Sequence, residues 1–394
     1  MSGIIYNQRF IQGENKSISG KKEKTMKKRR LVTMLTALGV AVAMTVSGCG
    51  AANAPAKEEV KEEVVETVVH EEPWVFTDSC GREVEIPAAA ERIVPMGPPA
   101  QMMLLSLAPE KVVGLTKPVN ERETKYLGEA IASLPVFGSF YGSGDLNMEA
   151  LAASEPELII DIGEAKNGNV DDLNAIQEQL GIPVIFIEAS LETTGEAFRT
   201  LGEVLATEEY AAKLGKYCDE KLAMVKDGMT KVKDEDKLKY LYTGGDNGLF
   251  VISKDSFHAE VLDMLGENVA VMDKPTRKGT GDEVSAEQML LWEPDIVLFS
   301  PKSVYETAKE DEVLGNLKAI KEDRYYEVPV GPFNWMGLPP AVNRFMGLLW
   351  AANVFYPEVF DYDMYDVTKE YYDLFYHYDL TEDDFAKLTA NAVK

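Results

Sequence analysis

Apolar and polar positions follow two periods along this chain, and the clearest instance is written twice. Residues 146–163 read LNMEALAASEPELIIDIG and residues 284–301 read VSAEQMLLWEPDIVLFSP. The two align without a gap: Glu149 falls on Glu287, Glu155-Pro156 on Glu293-Pro294, and Leu158-Ile159-Ile160 on Ile296-Val297-Leu298. Each copy predicts a polar N-cap (Asn147 or Ser285), a short amphipathic helix, a Glu-Pro stop and a continuous apolar strand buried on both faces. A helix feeding a buried strand, duplicated far apart in the chain, points to two similar α/β lobes.

The rest of the pattern fills those lobes in. Short alternating runs at 74–77 and 83–86 flank the glycine turn at 78–81 and predict a hairpin. A strand at 92–96, a helix at 99–108 and a strand at 112–115 form a strand-helix-strand unit, which implies a parallel sheet. Further strands are expected at 134–137, 158–162 and 184–187, with a helix at 171–180 stopped by Gly181 and Pro183. Apolar residues spaced by three and four from Tyr210 to Val232 predict one long helix over 207–233, with Gly228 as a weak point. At about 1.5 Å per residue it reaches roughly 40 Å, enough to run behind two lobes. Strands at 238–243 and 248–253 restart the pattern, followed by a helix at 258–265 and a strand at 325–328. The loop 331–340 then leads through Pro339-Pro340 into a helix reaching Asn353, and a tyrosine-rich helical tail follows, with Thr381 and Asp384 as a capping pair. The expected fold class is α/β: two Rossmann-like lobes with mainly parallel sheets, 74–205 and 235–394, joined by a single backbone helix, 206–234.

The front of the chain carries an address rather than a fold. A basic run at 26–30, an apolar run at 31–46 and the small-residue site Val46-Ser47-Gly48-Cys49 follow the order of a secretion signal. The apolar run is shorter than the roughly 20 residues of a spanning helix. The pattern resembles a bacterial lipoprotein signal, in which Cys49 receives the lipid after cleavage of 26–48, while residues 1–25 read as an upstream start-site artefact. Residues 49–73, rich in Ala, Pro, Glu, Lys and Val, are expected to be an acidic extended tether. The whole chain has a formal net charge of −26; residues 1–48 hold nine Lys/Arg and two Asp/Glu, so from Cys49 onward the net is −33. Such a surface repels nucleic acid and anionic lipid, so attachment to a membrane would rest on the lipid. Beyond Cys49 the cysteines are Cys80 and Cys218, and nothing in their spacing argues that they pair.

The opening TDSCGREVEIPAAAERIV, the paired EPELIIDIG and EPDIVLFSP segments, the long middle helix and the late PPAVNRFMGLLW resemble the substrate-binding lipoproteins of ABC importers for ferric siderophores, haem and cobalamin. The resemblance runs from Trp74 to the C-terminus and rests on the order of several weak motifs. It implies two lobes joined by one rigid helix, a shallow cleft between them and small opening motions; with the lipoprotein signal, the expected protein is extracytoplasmic and lipid-anchored, and a monomer is expected. It also implies that one glutamate on each lobe, here Glu149 and Glu287, docks onto arginines of the membrane permease and through it serves the ATPase. Twin charges suit a two-fold partner, although a carboxylate near a helix N-terminus is favoured by the helix dipole in any case.

Ligands of open α/β sheets bind beyond the carboxyl ends of the strands. The loops in question are 96–99, 138–142, 163–167, 243–247, 277–280 and 331–344. Within them Met96, Tyr141, Phe333, Asn334, Trp335 and Met336 are candidate contacts for a large planar or catechol-like ferric chelate, each also a candidate for packing between lobes. Arg344 is the leading site for an anionic group, with an ion pair to a surface carboxylate as its plain alternative, and Arg277 is the second candidate. The histidines His70, His258 and His377 are widely separated, so a bare metal ion is not the expected cargo and no resident cofactor is expected. Cobalamin, or molybdate or tungstate, is the alternative cargo. An enzyme of chelatase type and a sensor lipoprotein are the rival classes; the chain carries no P-loop, nucleophile elbow, dinucleotide fingerprint or zinc-protease motif.

Overall fold

The structure is a computed structural model that describes residues 70–140, 146–165, 168–276 and 279–393. The hairpin forms as β1 (Trp74–Thr77) and β2 (Glu83–Ile86). Its turn explains the TDSCGR motif. Asp78 accepts hydrogen bonds from the Cys80, Arg82 and Phe186 amides, and Arg82 reaches Asp78, Asn174, Gln177 and the Val184 carbonyl. The turn thereby covers one edge of the first sheet, an edge that would otherwise present unpaired backbone.

That sheet is built from β3 (Ile93–Pro95), β4 (Leu158–Gly163) and β5 (Val184–Glu188), all parallel, with β4 in the middle. The strands expected at 112–115 and 134–137 narrow to bridges: Val112 pairs with Ile93, and Val136 with Leu115. Pro135 brings no donor to the ladder, and the Phe137 ring presses on Gly114, where a Cβ would lie 2.1 Å from it. In space the five pieces run Val136, Leu115, β3, β4, β5, so the order reverses between β3 and β4. The helices of this part are α1 (Pro98–Leu107), α2 (Glu121–Ala132), α3 (Met148–Ala153), α4 (Asn169–Leu180) and α5 (Thr194–Leu205). The linking helix α6 (Glu208–Met229) is 22 residues, about 33 Å. Gly228 is a packing need rather than a weakness: the Phe360 ring occupies the place of its Cβ, 2.2 Å away.

The second sheet holds β6 (Lys239–Gly244), β7 (Phe250–Val251), β8 (Glu267–Asn268), β9 (Asp282–Glu283), β10 (Ile296–Phe299) and β11 (Tyr325–Glu327). β8, β10 and β11 run parallel within it, and β7 and β9 close it antiparallel. Its helices are α7 (Glu260–Leu265), α8 (Ala286–Trp292) and α9 (Lys318–Lys321), and the chain ends in α10 (Arg344–Phe355), α11 (Met364–Tyr376) and α12 (Glu382–Leu388).

The duplicated segment takes the same place in both sheets. β4 pairs with the first strand of its sheet, β3, and β10 with the first strand of its own, β6. Asn147 caps α3 at the Ala150 amide (3.0 Å) and Ser285 caps α8 at the Gln288 amide (3.2 Å). Glu155 and Glu293 both turn left-handed, at φ 45° and 46°. Even the next residue matches: the Glu157 amide donates to Arg92 O and the Asp295 amide to Lys239 O. The period-2 geometry of a strand then divides each apolar run between two cores. Ile159, Val184 and Phe186 face an outer cluster of the first lobe, and Val297, Phe299 and Leu241 an outer cluster of the second. Leu158, Ile160, Ile185, Tyr240, Tyr242, Ile296 and Leu298 all face one central core shared with α1, α5, α6, α10 and α11. The tail crosses back to the first lobe, α11 packing on α1 as well as α10.

Candidate functional site

Each sheet reverses its order beside its first strand, between β3 and β4 in one and between β6 and β10 in the other, and the loops at the carboxyl ends of such switch points are where open α/β sheets take their ligands. Contacts between lobes place these ends together. Leu191, just past β5, donates its amide to Glu260 Oε1 of the second lobe at 3.3 Å. Glu164, on the loop after β4, lies near enough to act on the charge of Arg344.

Arg344 is the electrostatic centre of this junction. It is 2% exposed, yet ionic: Nη1 pairs with Glu260 Oε2, Nε donates to Ala341 O at 3.3 Å, and the guanidinium lies over the Phe257 ring, 4.8 Å from its centroid. Its Nη2 has no hydrogen-bond partner among the described residues. Burial lowers the Arg344 pKa and raises that of Glu260, and each shift is opposed by the charge of the other. An arginine starting that high stays charged, so the pair is ionic.

A buried polar frame holds the arginine. Asn343 Nδ2 donates to Pro339 O at 3.1 Å and to Asn334 O, while its Oδ1 accepts from the Ala341 amide at 3.0 Å. This frame corrects the expected helix start: Asn343 takes the Pro339 carbonyl, which a helix opened by Pro339-Pro340 would have bonded internally, and α10 begins at Arg344. Asn334 belongs to the same frame, accepting from the Met336 amide at 2.7 Å.

The apolar candidates lie elsewhere than expected. Met96, Phe333, Trp335 and Met336 are all buried. Met96 is in the outer core of the first lobe; Phe333, Trp335 and Met336 are in the central core, where the Trp335 carbonyl sits where a Cβ on Gly347 would be. In this conformation they offer no face to a ligand, and for Trp335 and Met336 the cause is the packing of the Gly-Pro loop against Gly347 of α10. Tyr141, Arg277 and Cys49 lie outside the described residues. Sequence patterning did not single out Glu260, Phe257, Glu164 or Leu191. Glu260 and Arg344 meet across 84 positions, and no local spacing announces such a pair.

Glu149 and Glu287 are both exposed, in the first turns of α3 and α8. The Asn147 amide bonds to Phe137 O and the Val284 amide to Leu249 O, which places the two helix starts at the carboxyl-end side of their sheets, the side of Arg344 and Glu260. Two hollows lie away from it, one along α2 lined by Glu121, Arg122, Lys125 and Glu129, the other beside Gly228 and Phe360. Both open on helix surfaces and meet no strand end, so the topological position carries more weight here. Among the described residues, no group of three or more His, Cys, Asp or Glu stands as a metal site, and no helix is long and apolar enough to cross a membrane.

A family model described as periplasmic binding protein matches residues 109–330. The chain is 23% identical over 292 residues to an uncharacterized ABC transporter substrate-binding lipoprotein of Bacillus subtilis, covering 73% of this chain and 86% of that one. Among solved structures it resembles an ABC transporter solute-binding protein from Sulfurospirillum deleyianum, with 27% identity, a TM-score of 0.73 and coverage of 80% and 99% of the two chains. It likewise resembles a periplasmic solute-binding protein from Veillonella parvula, with 27% identity, a TM-score of 0.66 and coverage of 80% and 97%.

Proposed function

The chain belongs to the periplasmic binding protein family, and from that premise we propose that it is the solute receptor of an ABC importer whose cargo is an anionic ferric complex of siderophore or haem type. The family is one of binding proteins, so an enzyme of chelatase type is set aside. Lipid at Cys49 would hold the receptor on the outer face of the cell membrane. Glu149 and Glu287 would meet the two halves of a permease, which passes the cargo on with the help of its ATPase.

The observation that carries the choice of cargo is Arg344, a buried cation at the junction of two lobes whose Nη2 has no hydrogen-bond partner among the described residues. In a chain of formal charge −26 an anionic complex needs such a point of attraction. A small oxyanion would use the same arginine, and molybdate is therefore an arm of the test.

The test is calorimetric titration of the mature protein with a ferric tricatecholate, haem, cobalamin and molybdate, paired with uptake of the bound compound in cells that carry or lack the protein. A ferric complex should bind one-to-one, and its uptake should require the protein. Arg344→Ala should weaken that binding by more than the ~1 kcal/mol an exposed ion pair is worth. Tight binding of molybdate or cobalamin alone would replace the cargo, and binding without uptake would favour a sensor.

A further inference from the structure

We propose that Glu260 sets the charge class of ligand that the junction accepts, its carboxylate occupying on Arg344 the place that an anionic group of the cargo takes on binding. The proposal rests on the reading of Arg344 as the anion-binding residue. A buried guanidinium needs a partner, and Glu260 is its carboxylate partner among the described residues. The two partners differ in freedom. The Arg344 side chain is 2% exposed and held at Nε by Ala341 O and across its face by Phe257, whereas the Glu260 side chain is 26% exposed at the first turn of α7. Glu260 is the one able to swing into water; Arg344 is not.

The carboxylate also joins the two lobes. Oε2 meets Arg344 of the second lobe while Oε1 accepts the Leu191 amide of the first. A catecholate, carboxylate or oxyanion group that takes both donors reproduces both bonds and replaces Glu260 as the bridge between lobes. Glu164 and Glu192 lie close enough to repel Glu260, which loosens its hold. Every anionic ligand must therefore compete with a resident carboxylate, and an uncharged ligand need not.

The test uses the mature protein, wild type and Glu260→Gln, titrated with an anionic ferric tricatecholate and an uncharged ferric trihydroxamate. Glu260→Gln keeps the shape and removes the competitor, so tricatecholate affinity should rise about tenfold, the scale of one charge-assisted hydrogen bond, with trihydroxamate affinity unchanged. A fall for both ligands would make Glu260 a structural latch and overturn the proposal, as would no change. Independently of any chelate, millimolar molybdate should raise the melting temperature of Glu260→Gln and of Glu260→Ala but not of wild type; failure of both variants to respond also overturns it. Arg344→Ala separates the two levels. If that variant binds tricatecholate as wild type does, the Arg344 reading fails and this one with it; if it loses binding while Glu260→Gln matches wild type, only the role of Glu260 fails.

Discussion

Replacing Asp384 by Asn tests whether the tail fastens the two lobes into one rigid receptor. Asp384 accepts from Lys125 Nζ of α2 at 2.5 Å, from Tyr378 Oη at 2.9 Å and from Thr381 Oγ1 at 2.8 Å, and it closes the capping box of α12. Tyr126, beside Lys125, packs edge-on against Tyr378 and Tyr372, and the Tyr372 hydroxyl donates to Gly331 O at the start of the loop that carries Asn334 and Asn343. The anchor thus connects the first lobe to the frame of Arg344. Lys125 is 42% exposed, so the ion pair itself is worth about 0–1 kcal/mol. Making the two hydroxyl bonds neutral removes about 1 kcal/mol each, for a total near 2–3 kcal/mol, or roughly 3–4 °C in melting temperature for a protein of this size.

The Lys125 ammonium and the two hydroxyls hold the Asp384 carboxyl below the usual aspartate range. A depressed acid contributes stability that is complete above its unfolded pKa and is lost as pH falls through that value toward the folded one. The gap between wild type and Asp384→Asn, measured by denaturant unfolding, should therefore be full at pH 7 and shrink below about pH 4. Hydrogen exchange at pH 7 should rise in α2 and in residues 331–343 together. A gap under about 0.5 kcal/mol, or one independent of pH, would refute the linkage.

Other outcomes follow from the same structure. Glu149→Ala with Glu287→Ala should leave ligand affinity unchanged and reduce uptake; transport at the wild-type rate removes the docking assignment. Gly114→Ala should destabilise the first lobe by about 1–3 kcal/mol, because its methyl would meet the Phe137 ring, and an unchanged denaturation midpoint would contradict that packing. In a chain retaining Trp335 as its single tryptophan, emission should be blue and resist iodide, since the residue is 0% exposed; ready quenching would show that the Gly-Pro loop opens.

Local chemistry in the sequence announced the elements, and what it left out is what joins distant parts. The duplicated segment was legible because its cap, stop and apolar run each have a local cause, and the caps at Asn147 and Ser285 and the capping pair at Thr381 and Asp384 form as expected. α2 escaped notice because ERETKYLGEAIA is polar around most of its circumference and broken by Gly128, at φ 84°. α5 was likewise not anticipated. Trp335, Phe333 and Met336 sit in a loop by sequence yet in the core by structure, because the central core draws on both sheets and on helices of both lobes at once. Periodicity tells which side of one element is apolar, not whether another element will cover it.

Cargo held between the two lobes will show in hydrogen exchange with and without saturating ferric tricatecholate. Residues 163–165 and 189–193 in the first lobe and 256–260 and 338–344 in the second should be protected together. Protection confined to one lobe, or to the α2 surface around Glu121 and Lys125, would contradict it.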